Sequence, residues 1–177
     1  MTIQQWKLHR KRASLDEQTK LPVLNADGAK KVIVGAVEIG RFLALNFHLY
    51  GTSSGEQEQI DQVIRQCETL NHELGPIIRT TLTKNFELRR DLWNEYKEKT
   101  LNKTLAKWEE ELTSRPHLVG NKYTWADISV IELLTRFQCC YDSFFMANWP
   151  NLKGLIERFE KLQNVGPYMQ TRPDTNF

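Results

Sequence analysis

The side chains most often used in catalysis and metal binding are sparse in this sequence. Four histidines and three cysteines are spread along its 177 residues: His9, His48, His72, His117, Cys67, Cys139 and Cys140. None of the histidines has a cysteine or carboxylate at the spacing of a metal site, and no nucleophile elbow or phosphate-binding glycine loop is present. The pattern therefore predicts no bound metal and no resident cofactor. An odd number of cysteines, two of them adjacent, fits no disulfide framework and favours a reducing cytosol.

The clearest structural signal is the segment 115–127 and the apolar run that follows it. Thr124 is a preferred N-cap residue, and Asp127 lies three residues later, where its carboxylate can accept from the Thr124 backbone N–H. Tyr123 and Ile128 have the spacing of a hydrophobic staple around that cap. The helix that follows is apolar on nearly every side, which predicts burial within a helical domain. Taken alone, the segment indicates an ordinary, well-capped core helix.

The region before this domain predicts a small β-hairpin. Residues 21–25 have the pattern of a strand, Asp27-Gly28 that of a tight turn and residues 31–34 that of the partner strand. A helix with regularly spaced apolar residues should begin at Gly35 and end near Gly51. Because two strands alone are marginally stable in water, this piece requires more sheet or a partner domain.

A Gly-Thr-Ser-Ser-Gly run at 51–55 resembles a linker and predicts a domain boundary between residues 51 and 52. Residues 52–177 are predicted to be helical, with a break at Gly75-Pro76 and one long helix over 86–112. The composition is 40% hydrophobic with a net charge of +2, which argues against nucleic acid or acidic membranes as partners. No run approaches the length of a membrane span and no signal peptide is apparent, so a cytoplasmic location is expected.

The Leu-Val-Gly turn at 118–120, the Thr-Trp-Ala-Asp cap at 124–127 and the buried helix together resemble the core of cytosolic glutathione transferases, most closely sigma-like and nematode members. Two further segments add to the resemblance: residues 20–28 are similar to the family's strand, turn and strand, and residues 150–177 to its C-terminus. The fold class implied is mostly α. A truncated thioredoxin-like α/β domain, residues 1–51, would bind glutathione and precede an all-α helical domain, residues 52–177.

The resemblance also implies candidate binding residues. A cis peptide before Pro22 would turn the N–H and C=O of Val23 outward to pair with the backbone of glutathione. Gly35 and Ala36 occupy the positions of a Gln-Ser or Glu-Ser pair that holds the γ-glutamyl carboxylate at a helix N-terminus. Trp6 and Arg10 are similar to family residues that contact the glycyl end of glutathione. Lys20 and Leu21 lead into the strand that carries Pro22 and Val23. Glu68 matches an acidic residue that reaches the ligand's amine across a dimer interface. A solvated helix charge is the alternative interpretation of Glu68.

The resemblance assigns no catalytic residue. Family members carry a tyrosine, serine or cysteine on a first strand that hydrogen-bonds the glutathione sulfur. Here no tyrosine precedes Tyr50, and Ser14 lies after the expected position. The leading hypothesis is a homodimeric glutathione transferase that conjugates glutathione to small hydrophobic electrophiles in detoxification. The alternative is a catalytically silent binding or structural member of the family, and a third hypothesis treats residues 1–19 as an error of gene prediction.

Overall fold

The computed structural model describes residues 21–26 and 31–171, together with residue 5. The chain divides into two compact units, residues 1–49 and residues 50–177. The predicted hairpin turn at Asp27-Gly28 lies outside the described residues. Among the residues that are described, no helix is both long enough and apolar enough to cross a membrane.

The first unit contains a two-stranded antiparallel sheet followed by a helix: β1 (Val23–Ala26), β2 (Lys31–Val34) and α1 (Ala36–Asn46). Val23 lies opposite Val34 in the ladder. The peptide bond between Leu21 and Pro22 is cis, which confirms that prediction. Gly35 adopts φ +97°, a conformation that favours glycine, and this allows the chain to turn from β2 directly into α1.

In the second unit, all the regular structure of residues 50–171 is helical. In chain order its elements are α2 (Ser54–Glu73), α3 (Gly75–Leu82), α4 (Phe86–Tyr96), a π-helical turn (Lys97–Leu101), α5 (Asn102–Ser114), α6 (Trp125–Cys140), a 3-10 turn (Phe145–Asn148), α7 (Pro150–Glu160) and α8 (Val165–Thr171). Helix α2 packs against α6, and α5 packs against α7. The predicted break at Gly75-Pro76 is confirmed, since α2 ends at Glu73 and Pro76 lies in the first turn of α3.

The start of α2 shows why part of the linker-like run is ordered. The Ser53 hydroxyl accepts from the Glu56 N–H at 3.2 Å. The Glu56 carboxylate in turn accepts from the Thr52 N–H at 2.6 Å and the Thr52 hydroxyl at 2.8 Å. These bonds satisfy donors at the helix start. Residues 54–55 are therefore helical, whereas their composition predicted a linker.

A carboxylate from one helix stabilises the start of another. The two oxygens of Glu109, on α5, accept from the backbone N–H groups of Asn151 at 2.7 Å and Leu152 at 2.9 Å. Both donors lie in the first turn of α7, where the helix itself provides no acceptor and negative charge is favourable. Pro150 suits the first position of α7 because that residue needs no N–H. The contact ties α5 to α7.

The core of the second unit consists of large apolar side chains from most of its helices. Fully buried examples are Ile60, Leu70, Leu74, Ile77, Leu101, Leu105, Trp108, Leu118, Leu133, Leu134, Phe137 and Leu152. The Trp108 indole N–H donates to the side chain of Gln66 at 2.9 Å, and the Tyr96 hydroxyl donates to the Leu70 carbonyl at 3.1 Å. These aromatic side chains are therefore buried with their polar atoms satisfied.

The helix predicted over 86–112 is interrupted by the π-helical turn at Lys97–Leu101. Tyr96 and Leu101 are both buried although they are five residues apart. A regular α-helix would not place residues at that spacing on one face, whereas a π-turn, with its i to i+5 bonding, does. The interruption therefore keeps the apolar face of α4 and α5 continuous, and period counting along the sequence did not reveal it.

Candidate functional site

The backbone of Val23 faces away from β2. The Gly35 N–H donates to the Pro22 carbonyl at 3.0 Å, so these two residues form a hydrogen-bonded pair of the antiparallel ladder. Hydrogen-bonded and non-hydrogen-bonded pairs alternate along such a ladder. The next pair, Val23 with Val34, is therefore non-hydrogen-bonded, and the N–H and C=O of Val23 point to the other side of β1. This is the geometry to which an extended peptide adds as a further strand.

Helix α1 begins without a side-chain cap. Its N-cap is Gly35, and the first intrahelical bond runs from the Ile39 N–H to the Gly35 carbonyl at 3.0 Å. The N–H groups of Ala36, Val37 and Glu38 therefore have no acceptor within the helix. Such a helix end carries partial positive charge and attracts anions. The exposed Ala36 side chain adds no hydroxyl to that end.

One side chain opposes the binding of an anion at this helix end. Glu38 lies in the first turn of α1, is largely exposed, and has its carboxylate 3.4 Å from the Arg41 guanidinium. A negative charge there stabilises the helix but repels a carboxylate ligand. The family resemblance did not identify Glu38, because it matched only Gly35 and Ala36 at the start of this helix. The position of Glu38, three residues after Gly35, could have predicted a negative charge in the first turn of the helix.

Helix α6 begins with the reciprocal cap that the sequence predicted. Asp127 is fully buried, and its carboxylate accepts from the Thr124 N–H at 2.8 Å and the Thr124 hydroxyl at 3.1 Å. These residues form a capping box, which confirms the prediction. The same carboxylate also accepts from the Leu118 N–H at 2.8 Å. Sequence reasoning missed this contact, because Leu118 lies nine residues away and no local pattern identifies it.

Burial raises the pKa of Asp127, while its bonds to Leu118 and Thr124 and the nearby His117 act in the opposite direction. The direction follows from the cost of removing a carboxylate from water. The effect of desolvation on this pKa therefore exceeds that of the hydrogen bonds. The role of Asp127 is structural: the carboxylate holds a turn, an N-cap and a helix start in one arrangement.

The residue before this cap packs on aromatic rings. Tyr123 lies edge-on to His117 with ring centroids 4.5 Å apart, and edge-on to Phe159 of α7 at 5.3 Å. These contacts link the turn to α7. The predicted staple between Tyr123 and Ile128 stays a prediction.

The structure brings five of the sequence-derived candidates into the first unit: Leu21, Pro22, Val23, Gly35 and Ala36. The Pro22 to Gly35 hydrogen bond links the entry of β1 to the start of α1. Glu68 is an exposed residue of α2, in the second unit. Trp6, Arg10 and Lys20 lie outside the described residues. The roles of all these residues in ligand binding stay predictions.

Comparison with known protein families decides the assignment. The family described as glutathione S-transferase, C-terminal domain, matches residues 73–172, which is more than half of the chain. The chain belongs to the glutathione S-transferase family. It is 26% identical to glutathione S-transferase 1 of Ascaris suum over 160 residues, covering 89% of this chain and 76% of that protein. It is 31% identical to human glutathione S-transferase A3 over 153 residues, covering 85% of this chain and 66% of that protein.

Solved structures agree on the fold of this glutathione S-transferase family member. A Necator americanus glutathione S-transferase, described as the monomeric Na-GST-3, superposes with a TM-score of 0.86 at 23% identity, over 100% of this chain and 84% of the other. The glutathione S-transferase of Ascaris lumbricoides gives 0.82 at 23% identity, with the same coverage. The resemblance to nematode-type members is thereby confirmed, as is the fold class: a thioredoxin-like α/β unit followed by an all-α unit.

Proposed function

We propose that this family member binds glutathione and conjugates its thiolate to small hydrophobic electrophiles. The observation that carries the proposal is the outward-facing backbone of Val23, one residue from the bond that ties Pro22 to Gly35. The N–H and C=O of Val23 would pair with the peptide backbone of glutathione. The N-terminus of α1 would attract one of its carboxylates.

The chemistry of the proposed reaction is a substitution or addition by sulfur. The thiolate forms a carbon–sulfur bond with the electrophilic carbon, and any leaving group departs with the electron pair of the bond that breaks. The described residues are assigned the binding and orientation of glutathione, which lower the entropic part of the barrier. None of them is assigned to activate the sulfur.

A second candidate function is a catalytically silent glutathione-binding protein. Two observations on α1 favour it. Ala36 provides no hydroxyl for the γ-glutamyl carboxylate, and Glu38 places a negative charge in the same turn. A missing hydrogen bond to a charged group weakens binding by about 1.5–3 kcal/mol, which is one to two decades in affinity.

A matched pair of variants tests the backbone contact. Val23→Pro removes the outward N–H and spares the ladder to β2, since Val23 makes no hydrogen bond to Val34, whereas Val23→Ala keeps the N–H. Calorimetry should show glutathione affinity falling about five- to tenfold in Val23→Pro and staying within about twofold in Val23→Ala. Equal affinities in the two variants would exclude this mode of binding.

Turnover of chlorodinitrobenzene with glutathione separates the two candidate functions. A rate above the buffer reaction, lost together with glutathione affinity in Val23→Pro, supports the transferase. Measurable glutathione binding with a rate equal to that of the buffer reaction identifies the silent binding protein. Absence of glutathione binding at millimolar concentration contradicts both.

We further propose a homodimer in the cytoplasm. The homodimer is supported by apolar side chains that remain exposed at the end of α1, Leu45 at 54% and Phe47 at 67%. The cytoplasmic location is supported by three free cysteines. Because the Necator relative is described as monomeric, sedimentation equilibrium is the deciding measurement. Twice the chain mass is expected at micromolar concentration, and the mass of a single chain would contradict the dimer.

A further inference from the structure

Two cysteines are adjacent in the chain at the C-terminal end of α6. We propose that Cys139 and Cys140 form a dithiol site that chelates a trivalent organic arsenical. Cys139 is exposed and Cys140 is half-buried, and both are free. The two residues share one trans peptide group, so their Cα atoms are about 3.8 Å apart and rotation of the side chains can bring both sulfurs within reach of one ligand atom. A ligand that joins two sulfur atoms therefore finds both donors close together and reachable from solvent.

The backbone at these residues is held in place by several contacts. The Tyr141 N–H donates to the Phe137 carbonyl at 2.9 Å, which closes the last turn of α6. The Arg89 guanidinium donates to the Cys140 carbonyl and lies over the Tyr141 ring at 5.3 Å. A disulfide between adjacent cysteines would close a small ring through their shared peptide group and distort this backbone. An arsenic atom between the sulfurs enlarges that ring by one atom, so closing the ring distorts the backbone less than a disulfide would.

The proposed reaction is balanced without an oxidant. An arsenoxide, with one organic group and one oxygen on trivalent arsenic, reacts with both thiols. Two arsenic–sulfur bonds form, the arsenic–oxygen bond is lost, and the oxygen leaves as water with the two thiol protons. Arsenic remains trivalent and sulfur remains at the oxidation level of a thiol.

The donor set selects this class of ligand over a metal ion. Within the described ranges, no group of three or more histidine, cysteine, aspartate or glutamate side chains is placed to hold a metal. Zinc in structural sites takes four protein ligands, so a pair of thiols leaves it incompletely coordinated. Trivalent arsenic that already carries an organic group needs two more bonds, and thiolates are the soft ligands that such centres prefer.

The third cysteine provides an internal contrast. Cys67 is buried in α2, and burial raises its pKa to about 12. It is therefore a protonated and inaccessible thiol at neutral pH. Burial also raises the pKa of Cys140, an effect opposed by the positive charges of Arg136 and Arg89.

Titration of the reduced full-length protein with phenylarsine oxide tests the site. One equivalent should protect Cys139 and Cys140 from an aromatic disulfide reagent and appear as a single adduct in the intact mass. Excess 2-mercaptoethanol should leave the adduct in place, whereas a dithiol competitor should remove it. Cys139→Ser or Cys140→Ser should weaken retention on the order of a hundredfold or more, because one of two linked bonds is lost.

Cys67→Ser is the matched control and should retain the arsenical as the parent does, with circular dichroism checking the fold of each variant. The proposal is overturned if a single-serine variant at 139 or 140 retains the adduct as firmly as the parent. It is also overturned if the monothiol releases the adduct from the parent as readily as the dithiol. Formation of a Cys139–Cys140 disulfide in preference to the adduct would equally contradict it.

Discussion

Two helices of this protein begin in opposite ways. Helix α6 starts at a buried cap, where the carboxylate of Asp127 accepts from Thr124 and from Leu118. Helix α1 starts at Gly35, which provides no side-chain acceptor, and leaves the N–H groups of its first turn without one in the helix. Every helix start has N–H groups without an acceptor in the helix. At α6 a buried carboxylate accepts from N–H groups at the helix start, whereas at α1 no side chain caps the helix.

The difference distinguishes a structural cap from the glutathione-binding site that we propose. At α6 the acceptor is fixed and fully buried, so the turn before the helix and the helix core hold one arrangement. At α1 the helix begins at Gly35, whose N–H donates to Pro22 next to the outward-facing backbone of Val23, so a ligand with both a peptide backbone and a carboxylate would find complementary groups there. The first arrangement stabilises the fold, and the second leaves N–H groups that bind the ligand in the function we propose.

Removing the carboxylate that caps α6 should have the largest effect, a loss of folding stability. Asp127→Ala leaves the Thr124 and Leu118 N–H groups buried without an acceptor, so the free energy of unfolding should fall by about 3 kcal/mol. The melting temperature should fall by about 6–12 °C. Chemical unfolding with urea measures the first quantity. Asp91→Ala, at an exposed position on α4, is the control and should change the free energy of unfolding by less than about 0.5 kcal/mol. An equal loss of stability in Asp127→Ala and Asp91→Ala would contradict the role of the cap.

Adding a hydroxyl donor at the start of α1 should have the next largest effect, an increase in glutathione affinity. Ala36→Ser places a hydroxyl at the exposed first position of the helix, the position at which the family resemblance implies a serine. Glutathione affinity, measured by calorimetry, should rise about tenfold, because a hydrogen bond to a charged group contributes about 1.5 kcal/mol or more. Ala36→Thr provides a second hydroxyl with a different shape and should act in the same direction. Unchanged affinity in both variants would indicate that no carboxylate binds at this end.

The C-terminal end of α6 is held by an ion pair whose strength depends on pH. The hydrogen bond from Lys97, at 2.8 Å, is the main reason that the pKa of Asp142 is lowered from 3.8. A lowered pKa in the folded state means that the stabilisation is present above the unfolded value of 3.8 and is lost as pH falls through the folded value. Asp142→Asn should therefore reduce the free energy of unfolding by about 1 kcal/mol near pH 7.

Below the folded pKa of Asp142, the parent and the Asp142→Asn variant should have equal stability. Urea unfolding at about pH 7 and at successively lower pH provides the comparison, and the two curves should converge as the pH falls through the folded pKa of Asp142. Asp91→Asn, whose side chain is 68% exposed, is the control and should show no such convergence. A stability difference that persists at the acidic pH would indicate that packing, rather than charge, holds this end of the helix.

Removing the negative charge of Glu38 from the start of α1 should have the smallest effect, a modest rise in glutathione affinity. Glu38→Gln keeps the size of the side chain and removes a negative charge from the first turn. Glutathione affinity should rise about threefold at low salt, since a charge near a helix end contributes about 0.3–1 kcal/mol, and the gain should shrink in high salt. Glu58→Gln on α2 is a control that should leave the affinity unchanged. A gain that does not depend on salt would argue against repulsion by charge.

The sequence predicted those features that are set by local chemistry. The capping residues Thr124 and Asp127 are three positions apart, so the reciprocal cap follows from residue types alone. The hairpin strand at 31–34 is rich in β-branched residues, and Pro76 ends a helix because it lacks an N–H. The family resemblance then supplied the fold class, which short-range patterns alone did not determine.

Features that depend on distant contacts were missed. The bond from the Leu118 N–H to Asp127 joins residues nine positions apart and has no pattern in the sequence. The π-helical turn arises because Tyr96 and Leu101 both reach the core. The register that turns the Val23 backbone outward depends on the pairing of Pro22 with Gly35, which a strand prediction does not specify.

Amide chemical shifts followed during a glutathione titration test the contrast between the two helix starts most directly. Saturable shifts should concentrate at Val23 and at Gly35, Ala36, Val37 and Glu38, while the amides of Leu118, Thr124 and Asp127 stay unchanged. The reverse pattern, with shifts at the α6 cap and none at the start of α1, would contradict the account.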